Sequence, residues 1–139
     1  MTASLLYRIA SVLLLLFAIG NTVVFRRTYP SWGVDSIVEA MRNQSFAVQG
    51  LSRTFWHFYT GFGLFTTVFL VFGAVLAWQC GSLSKDQLRA LPVLAWALAA
   101  CFLSITVLSW KYFLLSTAAA YPLVTLLVVA AAILASQPN

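Results

Sequence analysis

Four long runs of apolar residues make up most of the chain, with one long connection after the first run and short connections after the second and third. They predict helices over about residues 5–25, 54–79, 85–110 and 116–135, and each run is long enough for the roughly 20 residues that a membrane-spanning helix needs. No segment shows the ten-residue alternation of a membrane strand, and backbone inside lipid must satisfy its own hydrogen bonds. The pattern therefore predicts an all-α fold, an integral membrane four-helix bundle in a single transmembrane domain over residues 1–139.

The first run also has the order of a secretory signal peptide, because a basic residue precedes an apolar stretch. The stretch reaches Phe25, which is longer than a usual signal-peptide core, and no small-residue cleavage pattern follows it. Arg26 and Arg27 end it as a stop signal would. We therefore interpret it as a retained span.

Composition agrees with a membrane protein. The chain has 139 residues, of which 62% are hydrophobic and 8% charged, too few solvating side chains for a soluble domain. The net charge of +5 comes from basic residues that lie mostly at predicted helix ends, as is typical of membrane spans. Since they form no cluster beyond the Arg26-Arg27 pair, nucleic acid is not an expected partner.

The connection between the first two spans is long enough to hold structure of its own. Residues 29–33 (Tyr-Pro-Ser-Trp-Gly) predict a turn with aromatic rings at the membrane interface. Ser36 and Glu39 match a capping box, which predicts a short interfacial helix over about residues 36–42. The alternation from Ser45 to Gly50 is too brief to assign.

The second span has two distinct faces on a helical wheel. One face, which we call the phenylalanine stripe, contains six aromatic rings: Phe55, Phe58, Phe62, Phe65, Phe69 and Phe72. The opposite side contains mainly polar and small residues, together with one leucine: Arg53, His57, Thr60, Gly63, Leu64, Thr67 and Ala74. We predict that the stripe faces lipid or another subunit and that the polar side faces the protein interior.

The start of this span supplies the candidate ligand-binding residues: Arg53, Trp56, His57, Tyr59 and Thr60. Arg53 and His57 are four residues apart, a spacing that places two helical side chains on one face. His57 could carry a proton, bind a ligand or act as a pH switch. It could equally be a packing residue at headgroup depth. One histidine without a suitably placed acid predicts no metal site and no cofactor.

Local signals divide the rest of the chain. Gly81 suits a helix C-cap, and Ser84 with Gln87 forms a second capping box, so the second and third helices should make an antiparallel hairpin. Pro92 should kink or break the third helix. Cys80 and Cys101 should differ in membrane depth, too far for a disulfide.

Small and hydroxyl side chains predict the inward faces of two helices. The predicted inward face of the first helix contains Ser4, Arg8, Ser11, Leu15, Ala18 and Thr22. That of the third helix contains Ala97, Ala100, Cys101 and Ser104.

Orientation follows from counting Lys and Arg on the two sides of the membrane. Five of them lie on the side of the long connection (Arg26, Arg27, Arg42, Arg53 and Lys111) and three on the side of the termini (Arg8, Lys85 and Arg89). The count favours a cytoplasmic connection and external termini. A reversed or dual arrangement stays open.

A resemblance to a known family rests on residues 53–63. Arg53-Thr54-Phe55-Trp56, Phe58-Tyr59 and Gly61-Phe62-Gly63 follow the pattern R-[ST]-[FY]-W-x-F-Y-x-G-F-G. It resembles an uncharacterised family of small four-helix bacterial inner-membrane proteins, and Met41-Arg42, Phe46, Trp110, Tyr112 and Phe113 fit the same family. An aspartate often follows the tryptophan in that family, whereas this chain has His57. The resemblance implies a multi-pass inner-membrane protein and implies no activity.

Three functional classes follow. The first is a non-catalytic accessory protein, or one that binds a lipid or another apolar ligand between its helices. The second is a membrane enzyme acting on a lipid or isoprenoid-like substrate, with His57 as acid-base and Arg53 binding an anionic group. The third is a small transporter, which usually needs a charged residue at mid-membrane. Expected partners are membrane lipids, an apolar small molecule, and a second copy or another membrane protein; no catalytic residue is assigned.

Overall fold

The computed structural model describes residues 2–24, 27, 30–113 and 115–137. These residues form six α-helices, a short 3-10 helix and one antiparallel hairpin: α1 Ala3–Val24, the 3-10 helix Pro30–Trp32, α2 Asp35–Asn43, β1 Ser45–Val48, β2 Leu51–Thr54, α3 Phe55–Ser82, α4 Lys85–Ala90, α5 Pro92–Tyr112 and α6 Leu115–Ser136. Four of the helices are long and apolar enough to cross a membrane: α1, α3, α5 and α6. The prediction of an all-α, multi-pass membrane protein is confirmed.

Contacts group the chain into two compact units. Unit one contains residues 1–15 and 71–139, and unit two contains residues 16–70. Helices α1 and α3 each contribute one part to each unit.

In unit one, α1 and α3 approach closely along a row of small residues. The hydroxyl of Ser4 donates to the carbonyl of Gly81, and that of Ser11 donates to the carbonyl of Ala74 at 2.7 Å. A Cβ atom added at Gly81 would lie 2.9 Å from Cγ of Arg8 and 3.0 Å from the carbonyl oxygen of Ser4. Gly81 is therefore not the predicted C-cap: α3 continues to Ser82, and the glycine lies inside the helix because α1 passes over it.

The inward face of α1 differs from the predicted one by about one position. Tyr7, Ala10, Ser11, Leu14 and Ala18 are buried, whereas Arg8 and Leu15 are exposed. The guanidinium of Arg8 lies 5.6 Å from the ring centre of Trp78, so the arginine extends across the aromatic surface of α3.

Helices α5 and α6 complete unit one. The hydroxyl of Thr125 donates to the carbonyl of Phe102 at 2.9 Å and lies 2.8 Å from the hydroxyl of Thr106. The ring of Phe102 is buried and lies 3.0 Å from the position that a Cβ of Gly73 would occupy.

The predicted inward face of α5 is wrong. Its four small residues, Ala97, Ala100, Cys101 and Ser104, are all exposed. The buried face instead carries Ala95, Leu98, Ala99, Phe102 and Ser109. Leu98 and Phe102 fill the space between helices, which the small side chains could not do.

Two local predictions near α4 are confirmed. Ser84 caps α4, its hydroxyl accepting the backbone N–H of Gln87 while the Gln87 side chain accepts the backbone N–H of Ser84. The helix is interrupted at Leu91, immediately before Pro92, and this break separates α4 from α5. Both cysteines are free, Cys80 buried and Cys101 exposed.

Unit two contains the short helix predicted between the first two spans and a hairpin that the sequence left unassigned. Helix α2 starts at Asp35, after Val34, so the capping box predicted on Ser36 is wrong. The strands pair in the register Ser45 with Thr54 and Val48 with Leu51. Gln49 and Gly50 form the turn with φ angles of 52° and 79°, the left-handed backbone that two-residue hairpins require.

Candidate functional site

The candidate site lies in unit two, where β2 passes directly into α3. Arg53 is in the strand and Phe55 is the first residue of the helix. The prediction placed Arg53 and His57 on one face of a helix because they are four residues apart. That reason is wrong, because only His57 lies in the helix. The two side chains nevertheless line one groove, described below.

A reciprocal pair of hydrogen bonds holds the start of α3. The hydroxyl of Thr54 accepts the backbone N–H of His57 at 3.3 Å, and Nδ1 of His57 accepts the backbone N–H of Thr54 at 3.2 Å. This is the geometry of a capping box with histidine in place of glutamate or glutamine. Because Nδ1 is an acceptor here, the proton of a neutral imidazole is on Nε2.

Sequence reasoning missed this capping role. The usual signature asks for Glu or Gln three residues after the capping Ser or Thr, and His57 occupies that place. The sequence did contain a signal for this cap, because Thr54 has a hydroxyl group and lies three positions before His57, whose ring nitrogen can accept a hydrogen bond.

An open groove of about 250 Å³ runs along the first turns of α3. Arg53 and His57 provide its polar groups, and its remaining lining residues are Phe58, Gly61, Phe62 and Phe65. A Cβ atom added at Gly61 would meet no atom within 4 Å, so the glycine keeps this stretch of the groove open.

The phenylalanine stripe faces outward, as predicted, because contact with lipid and contact with another subunit both require exposed rings. All six of its rings are exposed, from 45% for Phe58 to 71% for Phe69. Exposed apolar rings on a membrane helix are covered by lipid or by another protein. The groove is thus part of the stripe surface and opens sideways.

The residues on the polar side of α3 are partly buried and partly exposed. Gly63 and Thr67 are partly buried and Ala74 is buried, as predicted, but Arg53 and His57 are exposed. The prediction that the arginine-histidine end turns inward is wrong. His57 is held at the outer edge by its bond to Thr54, and Arg53 precedes the helix.

The interior side of α3 in unit two is occupied by an uncharged polar cluster instead. The Asn21 amide donates to the carbonyl of Gly63 at 2.9 Å and to the hydroxyl of Thr67 at 3.0 Å. The hydroxyl of Thr22 also lies 3.0 Å from that of Thr67. Thr22 and Thr67 were placed on inward faces from the sequence, whereas Asn21 was not singled out.

Three predicted site residues lie outside the groove lining. The guanidinium of Arg42, at the end of α2, lies 4.3 Å from the ring centre of Trp56, and the Trp56 and Tyr59 rings are 5.5 Å apart. This stacking connects α2 to the first turn of α3. The hydroxyl of Thr60 is buried and has no hydrogen-bond partner within the described part of the chain.

The hairpin packs against one wall of the groove. The Phe46 ring of β1 lies 4.9 Å from that of Phe55 and is stacked on that of Phe58 at 5.8 Å. Since Phe58 lines the groove, its position depends on the hairpin.

The groove offers a cation, an imidazole and aromatic surface. Neither Asp35 nor Glu39 is among its lining residues, so the described residues give His57 no carboxylate there to orient it for acid-base chemistry. Over residues 2–24, 27, 30–113 and 115–137, no three His, Cys, Asp or Glu side chains are grouped as a metal site requires. The described lining of the groove is therefore mostly aromatic, with one cationic side chain and one imidazole.

No family model, curated protein or solved structure matches the chain. The resemblance carried by residues 53–63 stays a prediction.

Proposed function

We propose that this protein is a non-catalytic membrane protein that binds an amphipathic ligand in the groove at the start of α3. The observation that carries the proposal is the composition of the groove: polar side chains at one end, phenyl rings along its length and an open stretch at Gly61. Ligand pockets have this character, mostly apolar lining with a few polar groups that fix orientation.

The position of the groove supports a ligand that comes from the bilayer. Arg53 precedes the first helical residue, at the level where charged side chains border a membrane span, and Phe62 and Phe65 follow within the span. A lipid-like molecule could enter sideways and leave its polar end near the water. We propose the bacterial inner membrane as the location, on the resemblance of residues 53–63 alone.

The enzyme and transporter alternatives receive less support from the geometry. A hydrolytic or transfer reaction with His57 as acid-base would need a group such as a carboxylate to orient the imidazole, and no carboxylate lines the described groove. The polar cluster of Asn21, Thr22 and Thr67 is uncharged and its members bond to one another, which favours helix packing over ion passage.

A groove-filling variant tests the proposal. Gly61→Leu places an isobutyl group in the open stretch of the groove. We therefore expect the variant to co-purify with at most about one tenth of the amphiphile that the wild type carries. The measurement is native mass spectrometry of protein extracted in a mild detergent, followed by lipid analysis of the released ligand.

Gly20→Leu is the matched control. Gly20 also lies in a membrane helix, and a Cβ atom there also meets no atom within 4 Å, but it is not part of the groove lining. Its ligand content should equal that of the wild type. Equal ligand content in the wild type and Gly61→Leu would contradict the proposed function.

A further inference from the structure

The polar end of the groove indicates which class of amphiphile it takes. Arg53 brings a permanent positive charge, and its guanidinium carries five N–H donors. Within the described residues it makes one hydrogen bond, from Nη1 to the carbonyl of Ser52 at 2.9 Å. Most of its donors therefore remain for a ligand.

His57 adds a donor of fixed position. Its Nδ1 accepts the backbone N–H of Thr54, so in the neutral ring Nε2 carries the proton. An imidazole held in this way can donate from Nε2 but cannot accept there. Two donors with no acceptor between them select a group rich in lone pairs.

The charge of the lining excludes a cationic headgroup. No acidic residue is among the described lining residues, and both charged or polar groups there are donors. A headgroup whose only charge is positive would meet Arg53 without a counter-charge. A carboxylate or phosphate would accept from both side chains, and such charge-assisted bonds are stronger than neutral ones.

Phenyl rings form the apolar part of the lining. Phe58, Phe62 and Phe65 provide a surface along which a hydrocarbon chain can lie.

We infer that the ligand is an amphiphile with an anionic headgroup, which Arg53 and the Nε2–H of His57 bind while a hydrocarbon chain lies along the phenyl rings. The inference rests on the proposed function, because it assigns chemistry to the same groove. The headgroup is a carboxylate or a phosphate monoester, and both place negative oxygens on the same donors.

The experiment compares three probes with one chain in common: oleate, oleyl phosphate and oleyl alcohol. Each is titrated into protein reconstituted in phosphatidylcholine nanodiscs, and bound ligand is measured by native mass spectrometry. We expect at least one anion to bind the wild type about tenfold more tightly than the alcohol. The anion that binds more tightly identifies the headgroup.

Two arginine variants assign that preference. Arg53→Gln should reduce the tenfold preference for the anion to within about twofold, with binding of the alcohol unchanged. Arg42→Gln is the matched control, because Arg42 lies on the Trp56 ring and not in the groove, and it should keep the full preference. Equal binding of alcohol and anions by the wild type, or a preference that survives Arg53→Gln, would overturn the inference.

Failure of the inference and of the proposed function give different results. If the groove binds amphiphiles without regard to charge, Gly61→Leu weakens all three probes and Arg53→Gln changes none. If the groove binds nothing, Gly61→Leu leaves all three probes unchanged. A second copy of the chain covering the groove would appear as a dimer mass that Gly61→Leu abolishes without any bound probe, which would also overturn the inference.

Discussion

Gly81→Ala should destabilise the protein by about 1–3 kcal/mol, although alanine is the better helix former. The added methyl group would lie 2.9 Å from Cγ of Arg8 and 3.0 Å from the carbonyl oxygen of Ser4. One of these neighbours is backbone, so α1 itself must shift. That shift would also weaken the hydrogen bond from Ser4 to the Gly81 carbonyl.

The measurement is the free energy of unfolding in detergent micelles, from a titration with a denaturing detergent. Gly20→Ala is the control, because a Cβ atom at Gly20 meets no atom within 4 Å. It should be neutral, or more stable by up to about 1 kcal/mol through helix propensity. If Gly81→Ala were as stable as Gly20→Ala, the close approach of α1 to α3 in unit one would be contradicted.

Two substitutions of Tyr7 should differ in their effect on the free energy of unfolding. Its side chain is 0% exposed, so Tyr7→Ala should leave a cavity and cost about 3–5 kcal/mol. Its hydroxyl has no hydrogen-bond partner among the described residues, and an unpartnered buried polar group carries a desolvation cost. Tyr7→Phe should therefore leave stability unchanged or raise it.

The same unfolding titration separates the two contributions. A loss of more than about 1 kcal/mol in Tyr7→Phe would show that the hydroxyl is satisfied in the folded protein, for example by a buried water. A small loss in Tyr7→Ala would contradict the burial of the ring.

Features with a local sequence signature were predictable. Ser84 and Gln87 marked the start of α4, and Pro92 marked the break before α5. The four spans followed from run length alone. These signals depend on the backbone of one segment and need no knowledge of its neighbours.

The faces of the spans were harder to predict, for a physical reason. Lipid and protein interior are both apolar, so hydrophobicity does not distinguish the two sides of a membrane helix as it does in water. In α5 the small residues suggested an inward face, but Leu98 and Phe102 are buried instead. The inward role of Gly81 likewise depends on α1, which its own segment does not reveal.

The candidate site was predicted in part. Arg53 and His57 lie at the start of the second span, as predicted, but the prediction that they turn inward is wrong. The hairpin decides this, because its second strand contains Arg53 and its Phe46 ring packs on those of Phe55 and Phe58. Strands of four residues with so brief an alternation give a weak signal in sequence.

Photolabelling tests most directly whether the groove at the start of α3 holds an amphiphile from the bilayer. A fatty acid with a diazirine in its chain is irradiated with the reconstituted protein, and the labelled residues are located by peptide mass spectrometry. We expect adducts concentrated on Phe58, Phe62 and Phe65, and lost in Gly61→Leu but not in Gly20→Leu. Labels spread evenly over the exposed apolar faces of α1, α3 and α5, and unchanged in Gly61→Leu, would contradict the account.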